Sequence, residues 1–155
     1  MFTKHIGHIL LAIILSLTSC TTSKSVVSQN VDLSRYEYAS VINNDTYHIP
    51  AELMEYEIQL FDAVANSNLQ LVSDARIYDL TKSQQNKLLL VKYGINSRPE
   101  ETIVTVNFID YTTGRPVASC KGAYTTLGIA GAGTDINGAI KRVAKQISQI
   151  FPNKN

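Results

Sequence analysis

From residue 31 onward the chain divides into stretches where apolar and polar residues alternate and stretches where apolar residues recur at threes and fours. "LSRYEYASVI" (33–42) alternates, which places Tyr36, Tyr38 and Ile42 on one face of a strand and Ala39 and Val41 on the other. Pro50 then opens a helical pattern. Leu53, Met54, Ile58, Phe61 and Ala65 form its apolar stripe, widened by Leu60 and Val64, and Asn66-Ser67-Asn68 ends it. Glu52, Glu55 and Glu57 lie in its first turns, where they complement the helix dipole.

"LQLVS" (69–73) reads as a short second strand, and Asp74 to Lys87 as a loop holding at most one helical turn. "LLLVKYG" (88–94) is a continuous apolar run of strand length, as expected of a central strand covered on both faces. Val104, Val106 and Phe108 alternate with Thr105 and Asn107. Asp110-Tyr111-Thr112-Thr113-Gly114 follows as a glycine-containing hairpin loop, so strands four and five should pair antiparallel. Ile136, Ile140, Val143, Ile147 and Ile150 mark a second helix, with Thr134 or Asp135 as N-cap and Pro152 just past its end. The order predicts an α+β fold, a two-layer sandwich of about five mostly antiparallel strands with two helices on one face.

The N-terminus changes the picture. Lys4 precedes an apolar run from Ile9 to Leu17 that is far shorter than the roughly 20 residues a spanning helix needs, which is the arrangement of a signal peptide. Leu17-Thr18-Ser19-Cys20 resembles the cleavage pattern of bacterial lipoproteins. That resemblance implies that Cys20 becomes the first mature residue and carries the acyl chains that tie the protein to a membrane. Thr21 and Thr22 differ from the aspartate that marks inner-membrane retention in such proteins. The expected address is therefore the outer membrane of a Gram-negative cell; no acidic run of the kind some surface-displayed lipoproteins carry follows Cys20, which favours the periplasmic face, with surface display as the alternative. The division that follows is a signal peptide over 1–19, a lipidated Ser/Thr-rich tether over 20–30 and one α+β domain over 31–152.

Composition narrows the partners. Removing residues 1–19 takes away one lysine and no acid, which leaves Lys plus Arg equal to Asp plus Glu and gives no electrostatic case for nucleic acid. With Cys20 lipidated, Cys120 is the remaining cysteine, so no internal disulfide can form and the core must hold itself together.

"VDLSRYEYA" (31–39), "LLLVKYG", "VNFIDYTTGRPVASCKG" and the closing "AIKRVAKQISQIFP", taken together, resemble a family of bacterial lipoproteins that carry a small α/β domain of unknown function. That family shows a V-D-x-S-x-Y opening, an L-L-V-x-Y strand, a D-x-x-T-G-R hairpin and a helix running into F-P. This chain departs from it at Cys120, where the family often has Trp, and at Lys87-Leu88, where the strand often begins with Asp. The resemblance carries no catalytic residue. Its architecture looks like that of periplasmic lipoprotein domains that help assemble secretion pores or activate cell-wall synthases.

Candidate chemistry is sparse. The mature chain has one histidine, His48, and a Cys120–His48 pair is the only conventional nucleophile and base available. Cys120 reads more simply as a small buried hydrophobe. No spacing of His, Cys or carboxylates matches a metal site, and no cofactor is implied. "GIAGAGTDINGAIKR" (128–142) feeds glycines, Gly131 and Gly133 among them, toward a helix N-terminus, yet matches no phosphate-binding fingerprint. Eight tyrosines and no tryptophan leave Tyr36, Tyr38, Tyr111 and Tyr124 as candidate contacts for a partner or a glycan. The expectation is a non-enzymatic docking or scaffold module, with the membrane and other envelope proteins as partners. The alternative is a lipoprotein that binds a small molecule or glycan.

Overall fold

The computed structural model describes residues 23–42, 51–98, 101–125 and 135–153. Its strands are β1 (Lys24–Val27), β2 (Tyr38–Val41), β3 (Gln70–Leu71), β4 (Leu88–Ser97), β5 (Glu101–Asp110) and β6 (Pro116–Thr125). The helices are α1 (Ala51–Ala65), a single turn α2 (Lys82–Gln85) and α3 (Ile136–Ile150), with 3-10 turns at Leu33–Arg35 and Asp74–Asp79. Among the described residues, no helix is long and apolar enough to cross a membrane.

The six strands form one sheet in the order β1-β6-β5-β4-β2-β3. The class is α+β, but the expected five mostly antiparallel strands are corrected to six in a mixed sheet. β1, β6, β5 and β4 pair antiparallel, whereas β2 pairs parallel with both β3 and β4. The parallel pairs have a simple cause. α1 carries the chain from β2 to β3 and the 74–85 stretch carries it from β3 to β4, and each crossover returns the next strand in the same direction. The extra strand comes from "KSVV", inside the stretch read as a tether, which pairs with β6 from Lys24 opposite Lys121 to Val27 opposite Ala118. The folded domain thus begins ahead of residue 31.

β5 fixes the two faces of the sheet. Val104, Val106 and Phe108 point into the core, and Ile103, Thr105 and Asn107 alternate with them on the other side. α3 lies on the core side and presents Ala139, Ile140, Val143 and Ile147, all buried. Full burial of a Val or Ile side chain contributes roughly 1.5–3 kcal/mol, so this one stripe is a main source of stability. Asp135 is the N-cap and accepts from the Gly138 amide at 2.7 Å. At its far end Phe151 packs on Phe108 with ring centroids 4.8 Å apart.

Gly122 permits the close approach of α3. A Cβ there would lie 2.2 Å from the Ala139 carbonyl oxygen and 2.8 Å from the Val143 nitrogen, so any side chain would push the helix off β6. The stretch from 74 to 85, expected as a loop, is two short helical turns, the second closed by a Thr81–Gln84 capping box. Gln84 donates to the Tyr38 hydroxyl at 3.4 Å, and Tyr38 alternates with the core residue Ala39, so this stretch sits by the face opposite the long helices.

Candidate functional site

α1 carries two apolar stripes. Leu60, Ala63 and Val64 are buried, and Tyr56 packs half-buried against them. Met54, Ile58 and Phe61, at i, i+4 and i+7, line the side turned away from the core and are 54%, 59% and 36% exposed. The apolar spacing places those three in the core with Leu60 and Val64 at its margin; the structure has the reverse. Both sets have helical spacing, and tertiary fit chose between them. α1 is fixed in place by polar contacts along its flanks. Tyr93 donates to Glu57 at 2.8 Å, and the Gln59 amide donates to Asn137 of α3 at 2.9 Å. The result is a helix tied down by its flanks that holds three large apolar side chains in solvent.

A second constellation lies at the hairpin end of the sheet. Asp110, 3% exposed, accepts from the Tyr36 hydroxyl at 2.8 Å, from Arg35 at 2.5 Å and from the Thr113 amide at 2.7 Å. Burial alone would push its pKa up. The Thr113 and Tyr36 hydrogen bonds and the Arg35 charge outweigh burial and hold the carboxyl below its ordinary range. The Tyr36 phenol is pushed up to about 12, first by burial and then by the adjacent carboxylate. Gly114 closes the loop with φ +68°, and its amide donates to the Asp110 carbonyl at 2.8 Å. Above this node a surface groove of about 440 Å³ is lined by Arg35, Glu37, Asn86, Lys87, Thr112 and Thr113.

The four candidate tyrosines do not form one surface. Tyr36, at 2% exposure, is a core residue: it caps the 3-10 turn at Leu33–Arg35 and lies ahead of β2, which begins at Tyr38, so the strand's alternation does not reach it. Tyr38 is half-buried beside α2 on the opposite side of the sheet. Tyr111 begins the hairpin loop, half-buried, with its amide donating to the Leu88 carbonyl. Tyr124 lies under the Arg142 guanidinium at 4.9 Å and against Gly138, where a Cβ would meet its ring at 2.5 Å. Cys20, His48, Gly131 and Gly133 lie outside the described residues. Cys120 is fully buried opposite Val106, and burial pushes its thiol up to about 12, which removes the thiolate a nucleophile needs. Among the described residues, no three His, Cys, Asp or Glu side chains are grouped to hold a metal.

The sequence matches no protein-family profile and no curated protein. The fold is similar to solved structures at low identity. Two are PelC dodecamers from Paraburkholderia phytofirmans. One, a point variant, has TM-score 0.53 at 14% identity, covering 86% of this chain and 100% of that one. The other has TM-score 0.51 at 17% identity, covering 86% and 99%. A PDZ domain protein from Parabacteroides distasonis has TM-score 0.54 at 12% identity, covering 86% of this chain and 36% of that one. At such identities the likeness is one of fold.

Proposed function

We propose that this chain is a lipid-anchored envelope protein, held at the outer membrane through Cys20 and facing the periplasm, whose domain is a non-enzymatic docking module. The observation that carries this reading is the exposed Met54–Ile58–Phe61 stripe on α1. Three large apolar side chains at i, i+4 and i+7 are the anchors that a helix lays into a complementary apolar groove, and a helix already formed loses little backbone entropy on docking. The partner is an envelope protein that offers such a groove.

The test is in-cell cross-linking of the tagged, full-length protein against a Cys20→Ala control. A small set of envelope proteins captured only with the anchor intact supports the reading. Further copies of this chain are one form that set could take, since the PelC neighbours are dodecamers. Failure to capture any specific protein contradicts it.

A second reading, binding of a small molecule or glycan, draws on the groove above Asp110, whose Arg35, Asn86 and Lys87 side chains supply hydrogen-bond donors at one place. A rise in melting temperature with millimolar sugar or sugar phosphate, abolished by Arg35→Ala, would move weight to it.

A further inference from the structure

The sheet face opposite the long helices is covered by residues 74–85 at its β2–β4 end and open over β1, β6, β5 and the Lys92 end of β4, where it is built in register rows. Lys24 of β1 stands opposite Lys121 of β6, and the row continues through Thr105 and Gly94. The next row on that face runs Val26, Ser119, Asn107 and Lys92, with Ser119 donating to Asn107 at 2.8 Å. Like charges directly opposite each other on a sheet repel. Among the described residues, none of the three lysines has a carboxylate at ion-pair distance, and the acid that β5 adds to this face, Glu101, lies further along the strand. Val26, 52% exposed, adds an apolar side chain among them. This face calls for an anionic counterpart.

The chain length ahead of β1 says which. Because Lys24 already belongs to the sheet, four residue steps separate it from Cys20, a reach of about 14 Å at full extension. Resting on the lipid-anchor reading, we propose that this open face is a membrane contact. It lies against the anionic phospholipid headgroups of the bilayer that holds the Cys20 acyl chains, with Lys24, Lys92 and Lys121 on the phosphates and Val26 at the interface. The helical layer, with the Met54–Ile58–Phe61 stripe, is then on the far side of the sheet from the lipid. A lysine near an anionic membrane surface strengthens contact roughly fivefold.

The experiment uses the full-length lipidated protein in vesicles of phosphatidylethanolamine and phosphatidylglycerol that contain a headgroup-quenching lipid. A fluorophore is attached at Thr105→Cys on the open face or at Lys145→Cys on α3, and buried Cys120 stays unlabelled. The probe at 105 should be quenched and the probe at 145 should not. Quenching at 105 should fall to the level of 145 in phosphatidylcholine alone and in a Lys24→Gln, Lys92→Gln, Lys121→Gln variant of unchanged melting temperature. Equal quenching at both positions, or quenching at 105 indifferent to lipid charge, overturns the proposal. So does a probe at 105 that lipid cannot reach because a protein covers it. Mass analysis of Cys20 in the same sample separates failure of the contact face from failure of the anchor. Acylated Cys20 with 105 unquenched sinks the contact face alone, whereas unmodified Cys20 sinks the anchor and the face together.

Discussion

The Tyr36 hydroxyl donates a 2.8 Å hydrogen bond to Asp110, a carboxylate 74 residues further along the chain. Arg35, next to Tyr36, reaches the same carboxylate oxygen, so the "SRY" turn and the "DYTTGR" hairpin are two halves of one buried lock. Asp32, at the head of that turn, accepts from the Ser34 amide and hydroxyl and fixes the approach of Arg35 and Tyr36.

Removing the carboxylate should cost more than removing the phenol. Asp110→Ala leaves the Tyr36 hydroxyl and the Thr113 amide without their acceptor, and about 3 kcal/mol of stability should be lost. Tyr36→Phe leaves Asp110 its bonds from Arg35 and Thr113 and should lose about 1 kcal/mol. Denaturant unfolding of the two variants and of the double variant checks this, and the double variant should lose less than the sum.

The lock also sets the pH response. Asp110 is held below its ordinary pKa, so its contribution is complete above the usual carboxylate range and is lost as pH falls through the folded value. The gap in melting temperature between the natural protein and Asp110→Asn should therefore shrink below about pH 4. Tyr36 shifts the other way, up to about 12, so its contribution is present below about pH 10 and fades as pH rises towards 12. Tyr93, raised by burial and by its bond to Glu57, adds to that alkaline loss.

Gly122→Ala should destabilise by about 2–3 kcal/mol, because the added methyl collides with helix backbone instead of a movable side chain. Gly94→Ala, on the open face with nothing near its Cβ position, serves as the control and should change stability little. Thermal unfolding of the pair measures the difference.

Cys120 should resist a thiol reagent in the native protein and react at once in denaturant, since it is buried and its thiol is held protonated. Rapid native labelling would show that β6 opens from α3 on the labelling timescale.

The β5–β6 hairpin, the period of α3 and its Asp135 cap are all written in local residue choices, and the structure has them. β1 is not. "KSVV" has no alternation, and it is a strand because the edge of β6 offers it hydrogen-bond partners. The inward side of α1 was equally hidden, since two apolar stripes share that helix and only the position of α3 and the sheet edge decides which is covered. The face of Tyr36 is hidden for a related reason. The pattern looks like uninterrupted alternation but is strand only from Tyr38 onward, and Tyr36, at the end of the 3-10 turn held by Asp32, faces inward to Asp110.

The measurement that tests the docking reading most directly is photo-cross-linking in cells from an unnatural amino acid placed at Ile58, with the same residue at Lys145 as the comparison. A discrete cross-linked envelope partner is expected from position 58 and none from position 145. The cross-link from 58 should be lost in a Met54→Ser, Phe61→Ser background that melts within a few degrees of the natural protein. Cross-links of equal strength from both positions, or none from 58, would contradict docking through this stripe.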